Sequence, residues 1–413
     1  SPLNTRQRSS EETNCSDITM TSIRSLTQRA SQLSFIEAVK TANENVVLVL
    51  AGGAVVEMPW ENNAKAILHS FLGGEAGGSA VVDLLFGDVN PSGKLAETYP
   101  YALEDTPCYD YFPGNTTTVE YREGIFIGYR YYDTAKKDVR YPFGYGLSYT
   151  KFEYSDISVS NADINDTDKI TVKFKVKNVG DVDGAEIAQL YVSKEESKIF
   201  RAEKELKGFK KVFLKAGEET EIEIELSKRA FAFYNVEIHD WHVESGKYNI
   251  LVGASSRDIL LTAAVNVTST CNAEVPDMKA MYPSYMNADV KNVTDEEFEK
   301  LLGYPIPQKD VVAYPHLTFA NTLEDSCHGK NGKKIVGLIG KILGTDGMAY
   351  AIAVQTPVKN FISMSMGVFS PEMADRLLDI LNDKERLGWG IVKLIVKALP
   401  SVIKGLPELL NNI

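Results

Sequence analysis

At 413 residues the chain is longer than one hydrophobic core usually supports, so two or three domains are expected. Apolar residues at 44% and charged residues at 24% are ordinary for a globular protein. The net charge of −12 excludes nucleic acid and anionic membrane as main partners.

The first clear element is "SQLSFIEAVKTANEN" (31–45), where Leu33, Ile36, Ala38, Val39 and Ala42 predict a helix packing one face. "VVLVLAGGAVVEMPW" (46–60) opens with a continuous apolar run that stops at a glycine pair, which predicts a buried parallel strand. "ENNAKAILHSFL" (61–72) reads as a second helix, and "SAVVDLLFG" as a third that ends at Gly87. A turn with Asn90-Pro91 and Ser92-Gly93 follows. Helix alternating with buried strand implies a small α/β layer.

Two aromatic stretches come next, "YREGIFIGYRYYD" (121–133) and "YPFGYGLSYTKF" (141–152). From about residue 150 the period shortens. "KITVKFKVKNVG" (169–180), "IAQLYVS" (187–193), "ETEIEIELS" (219–227) and "GKYNILVGAS" (246–255) alternate apolar and polar residues between turn signals, as half-buried antiparallel strands do. Several such strands in roughly a hundred residues predict a β-sandwich that ends near Val267. Residues 272–328 are rich in turns around one short acidic helix, 294–303, which Thr294 and Glu297 begin as a capping box. A further helix is expected at 370–383, with Ser370 as its cap and Pro371 in its first turn. "GIVKLIVKALPSVIKGLPELL" (390–410) is interrupted by Lys and Pro and does not read as a spanning helix. The chain start carries no secretory apolar run, which favours the cytoplasm.

Little in these elements declares chemistry. "AGGAVVEMPW" and "FLGGEAGGSA" (71–80) match neither GxxxxGK[ST] nor GxGxxG, so they read as close packing of helix and strand, and no cofactor is expected. The five histidines form no HExxH, and the four cysteines (Cys15, Cys108, Cys271, Cys327) form no CxxC, so no metal site is expected. Trp60 and Glu75 are conspicuous, with Trp60 expected to pack against the segment after it. A glycosidase needs two carboxylates, and composition alone cannot choose two from 56 acids. The aromatic stretches suit either a sugar platform or cement between domains. Their place, where the α/β pattern ends and the sandwich begins, favours cement.

An ordered series of segments then carries a resemblance: "MPWENNAKAILHSFLGGEAGGSAVVDLLFGDVNPSGKLAETYP" (58–100), "YREGIFIGYRYYD" (121–133), "FGYGLSYTKFEYS" (143–155), "VKNVGDVDGAEIAQLYVS" (176–193), "KELKGFKKVFLKAGEE" (204–219) and "ESGKYNILVGASSRDI" (244–259). The chain resembles the C-terminal half of a glycoside hydrolase family 3 enzyme of the β-glucosidase/β-xylosidase type. The resemblance implies an α/β plus all-β fold. A partial α/β sandwich domain truncated at its start (1–120) leads into an aromatic interdomain segment (121–150). A fibronectin type III-like β-sandwich (151–268) and an irregular, helical C-terminal extension (269–413) complete it. It implies retaining hydrolysis of a β-linked oligosaccharide or glycoside, with the Asp nucleophile on a TIM barrel of roughly 250 residues that this chain has no room for. That barrel is expected on another chain, and self-association is expected where the barrel would pack. The family's acid/base Glu falls on Glu11 in "SSEETNCSDITM" (9–20), with Glu12 as an alternative one residue on; Ser10 and Cys15 depart from the family's pattern there. The alternative function is a non-catalytic carbohydrate-binding or scaffolding relic of such an enzyme.

Overall fold

A computed structural model describes residues 30–112, 119–307, 314–345, 348–365 and 369–394. They fall into two compact units, a larger one holding residues 30–111 and 121–306 and a smaller one holding the described residues beyond 306 together with 112, 119 and 120.

The larger unit begins with helix α1 (Ala30–Ala42), strand β1 (Val47–Ala51), strand β2 (Ala66–Phe71) and helix α2 (Gly77–Phe86). β1 and β2 run parallel in the register Val47↔Ala66 to Leu50↔His69, with a bulge before Ala51↔Phe71. The predicted helix at 61–72 is thus corrected. Only Glu61–Asn63 makes a helical turn, and the apolar run Ala66–Phe71 joins a ladder instead. A six-residue apolar run fits either structure, and the ladder to Val47–Ala51 decides it, because β1 has no other strand partner among the described residues. Ile36 from α1 packs with Met58, Trp60 and Tyr99 into a small core. Trp60 is therefore a core side chain.

Past the short helix α3 (Tyr129–Thr134), strands β3 (Phe152–Val159), β4 (Asp163–Asn165), β5 (Ile170–Asn178), β6 (Gly184–Lys194), β7 (Glu205–Leu214) and β8 (Glu219–Leu226) follow. The hairpin β9 (Ala232–Asn235) and β10 (Asp240–Val243) precedes β11 (Gly246–Gly253) and β12 (Ile259–Thr268). A five-stranded sheet in the order β4-β12-β11-β6-β7 faces a three-stranded sheet in the order β3-β5-β8. The alternation of "ITVKFKVKN" sends Ile170, Val172, Phe174 and Val176 into the core against Leu190, Ile222, Ile250 and Val252. Its lysines face out, where Lys173 pairs with Glu223 and Lys169 with Glu225 of β8. Helices α4 (Pro283–Met286) and α5 (Asp295–Leu302) close the unit, with Tyr285, Val293 and Phe298 packed on Phe126, Tyr131 and Tyr132. Thr294 caps α5 as its sequence foretells, accepting a hydrogen bond from Glu297 N at 3.2 Å.

The smaller unit is helical: α6 (Lys330–Leu343), α7 (Met348–Gln355), α8 (Val358–Met364) and α9 (Pro371–Leu381). They surround a core that includes Val336, Tyr350, Val354, Val358, Ala374 and Leu381. Ser370 caps α9 through Met373 N, and buried Cys327 is disulfide-bonded. Among the described residues no helix is long and apolar enough to cross a membrane.

Candidate functional site

Parallel sheets place ligands beyond the carboxyl ends of their strands. Here those ends are Gly52-Gly53 after β1 and Leu72-Gly73-Gly74 after β2. Gly52 N reaches Phe71 O at 3.2 Å, which ties the two turns together. A Cβ on Gly73 would press within 3.0 Å of Gly77 Cα, so close approach of backbone explains that glycine, whereas one on Gly53 would meet only the Leu72 side chain, at 3.3 Å. Gly77 and Gly78 face open space. Glu75 is exposed.

His69, near the end of β2, stacks on Phe71 with ring centroids 3.9 Å apart. Its Nε2 lies 3.2 Å from Gly52 O and its Nδ1 lies 2.7 Å from Tyr99 Oη. A carbonyl only accepts, so Nε2 carries the proton and Nδ1 accepts from the Tyr99 hydroxyl. Burial, with some contribution from Glu97, pushes the Tyr99 hydroxyl up to about 12, so it stays a donor at neutral pH. Both nitrogens of His69 are thereby engaged within the fold.

Beside this pair, Glu61 accepts hydrogen bonds from the Arg140 guanidinium and the Tyr141 hydroxyl. Burial, and then the Glu61 carboxylate, push the Tyr141 hydroxyl above its usual range. Both Glu61 oxygens are engaged, which suits fixing Arg140 and Tyr141 better than transferring a proton. Glu57 accepts from Leu103 N at 2.8 Å. Sequence reading missed the Glu61–Arg140–Tyr141 cluster because its members are about 80 positions apart and share no motif.

Residues 140–146 clasp two sides. Toward the α/β layer, Leu95 N donates to Tyr145 O at 2.8 Å, Gly144 N to Leu95 O at 2.8 Å, and Tyr99 N to Tyr141 O at 2.9 Å. Toward the sandwich, Gln189 Nε2 donates to Gly144 O at 3.1 Å and Ser256 N to Phe143 O at 2.9 Å. Phe143 stacks on Tyr129 at 4.7 Å, and Tyr129 meets Tyr191 edge-on at 5.9 Å. Tyr145 stacks on Tyr141 at 5.2 Å. The rings of Tyr141, Phe143 and Tyr145 are thus occupied by one another and by neighbouring aromatics.

Upstream, Glu123 is 7% exposed, its Oε2 makes no hydrogen bond, and burial raises its carboxyl pKa. A buried, perturbed carboxyl is a functional signal in a cleft. Glu123 lies in the turn that precedes α3. Its neighbour Arg122 donates to Val293 O at 3.1 Å and lies over the Tyr111 and Phe298 rings, so this pair belongs to packing. Glu11 and its alternative Glu12 lie outside the described residues. No group of three metal-ligating side chains occurs among those described.

Comparison with known proteins places this geometry. Residues 3–149 match the model of the glycosyl hydrolase family 3 C-terminal domain, and residues 186–256 match that of the fibronectin type III-like domain. Thermostable beta-glucosidase B of Acetivibrio thermocellus is 44% identical over 357 residues, covering 86% of this chain and 43% of that protein. A match of that length runs past residue 306 into the helical unit. An exo-alpha-(1->6)-L-arabinopyranosidase of Bifidobacterium breve is 49% identical over 237 residues, 57% of this chain and 31% of its own. The crystal structure of a GH3 beta-glucosidase of Bifidobacterium adolescentis superposes with a TM-score of 0.57 at 43% identity, over 65% of this chain and 40% of that one. The chain thus spans less than half the length of these relatives.

Proposed function

This chain is the C-terminal portion of a glycosyl hydrolase family 3 β-glucosidase-like protein, and from that premise we propose that it completes a retaining β-glycosidase whose nucleophile lies on residues outside it. The observation that carries the reading is the 44% identity to a beta-glucosidase sustained over 86% of the chain. The half-clad sheet supports it. Val47 and Val49 stand exposed on one face of β1, and Phe35, Leu72 and Phe86 are exposed around the same layer. A buried-type strand with a bare face suits a layer that packs against further structure.

In the proposed cycle a carboxylate supplied by the barrel attacks the anomeric carbon. A carboxylic acid from this half gives its proton to the departing glycosidic oxygen. The same group, now a carboxylate, takes a proton from water as the water oxygen displaces the enzyme carboxylate, which restores both groups. Glu11 is our candidate for that acid/base, with Glu12 one residue away. The substrate is a terminal β-linked glucosyl residue or a related pyranosyl residue. The breadth reflects relatives that include both a beta-glucosidase and an arabinopyranosidase, so this half does not by itself fix the sugar.

Hydrolysis of aryl β-glucoside and β-xyloside, by the purified chain with and without an added family 3 barrel domain, tests the reading. Activity that appears only with the barrel supports a two-part enzyme. Activity of the chain alone refutes the external nucleophile, and silence in both mixtures favours the non-catalytic relic.

A further inference from the structure

Just past the clasp, Leu147 and Tyr149 remain in water although their backbone is anchored. Tyr149 N and Ser148 Oγ donate to Asn90 Oδ1 at 2.8 and 3.0 Å, and the Tyr149 hydroxyl donates to Leu84 O at 2.8 Å. Asn90 Nδ2 in turn donates to Asp183 O at 3.0 Å, which brings the β5–β6 turn and its exposed Val182 to the same place. From β7, Lys211 Nζ donates to Ser92 Oγ at 2.9 Å. Val212 and Leu214 turn into the sandwich core, so Lys211 shares the opposite face of β7 with Phe209 and Phe213. The turn after α2 is thus the hub of an apolar strip made of Val89, Leu147, Tyr149, Val182, Phe209 and Phe213.

These six side chains are 47–73% exposed. At about 200 Å² for a large side chain they leave on the order of 700 Å² in water. That exceeds the ~300–600 Å² of the largest apolar patch on most monomers, and it approaches the ~800 Å² that each partner buries in a stable complex.

The composition of the strip narrows its occupant. A sugar needs convergent polar groups, but the Asn90 amide, the Tyr149 hydroxyl and the Lys211 ammonium are taken up in holding the turn. What stays free is aromatic and aliphatic, as at the centre of a protein–protein contact. The rim is balanced in charge within a chain of net −12: exposed Asp88, Asp181 and Asp183 stand against exposed Lys151, Lys210 and Lys215. Two copies of this face therefore do not repel, and a two-fold axis can set the lysines of one against the aspartates of the other. We propose that this strip is the contact between two copies of the chain related by a two-fold axis, which needs a single self-complementary patch. The inference does not rest on the proposed hydrolytic reading.

The test is size-exclusion chromatography with light scattering on the intact chain across a micromolar concentration series. A dimer with Kd on the order of micromolar is expected, as for an interface at the small end of the stable class. Phe213→Glu and Leu147→Glu each put a carboxylate where a side chain already faces water. Both should keep the parent's circular dichroism and raise Kd at least about tenfold. Phe35→Glu, on the bare face beside β1, should leave the dimer intact. A chain that is monomeric throughout would overturn the proposal. So would a dimer unmoved by both strip substitutions or one dissolved by Phe35→Glu, because either places the contact elsewhere. Open-ended oligomers would overturn it too, since a two-fold contact closes at two copies.

Discussion

Gly144 sits at the centre of the clasp between the α/β layer and the sandwich, and replacing it with alanine should be among the most damaging small changes in the larger unit. Its φ of +81° lies in the left-handed region, where an L side chain costs about 1–2 kcal/mol. A Cβ there would also collide with the Gln189 side-chain amide. Gln189 is 3% exposed and cannot swing into solvent. It donates to Gly144 O at 3.1 Å and Ala254 O at 2.8 Å, and it accepts from the Tyr191 hydroxyl. Displacing it forfeits three buried hydrogen bonds at about 1 kcal/mol each. The sum is about 4–5 kcal/mol, against a total stability of about 5–15 kcal/mol for a domain. Urea denaturation followed by far-ultraviolet circular dichroism on the parent, Gly144→Ala, Gln189→Ala and the double variant measures it. The double variant should lose less than the two singles added together, because removing Gln189 relieves the collision. A Gly144→Ala loss under about 1 kcal/mol, or strict additivity, would refute the reasoning.

Four further outcomes are expected. Phe143→Ala should cost about 2 kcal/mol in the same assay, below the ~3–5 kcal/mol of a fully buried Phe because Phe143 is only half-buried; Tyr145→Ala should leave sugar binding unchanged. Burial of Asp166 opposes ionisation, but hydrogen bonds from Thr270 and the nearby Lys228 ammonium outweigh it and hold the carboxyl below the usual range. Its stabilisation is therefore complete above the unfolded carboxyl pKa of about 4 and is lost as pH falls through the depressed folded value. Asp166→Asn should melt lower than the parent at neutral pH, with the gap closing in acid; a gap independent of pH would contradict this. In the barrel-supplemented assay, Glu11→Gln should slow hydrolysis by about 10²–10⁴-fold, most for poor leaving groups, and full activity in that variant would remove Glu11 from the mechanism.

The parts of the fold legible in the sequence are those whose period is local. The alternation of Ile170–Asn178 and Glu219–Leu226 sets which side chains enter the core, and the caps at Thr294 and Ser370 mark helix starts within a residue or so. Ala66–Phe71 was misread as helix because its strand state rests on a partner about twenty positions away, which no local window contains. The same holds for the polar clusters. Glu61 meets Arg140 and Tyr141, and Asp133 meets Lys204 and Arg257, only after the chain has folded back across 70 to 125 positions. Family resemblance placed the domains in order, but the acid/base candidates Glu11 and Glu12 lie outside the described residues, so geometry adds nothing to their assignment.

The two-sided clasp of residues 140–146 also bears on how such proteins can be rearranged by recombination. A crossover placed at residue 150, the apparent seam between modules, would graft a sandwich whose Gln189 and Ser256 had been shaped to one particular loop onto a loop shaped elsewhere. Gln189 and Ser256 would then face a foreign backbone, while the ladder of Leu95 and Tyr99 to residues 141–145 would survive the cut. The heritable unit in this larger body is accordingly the α/β layer, the aromatic segment and the sandwich together. Chimeras that cut within it should be rarer among viable offspring than those that exchange it whole.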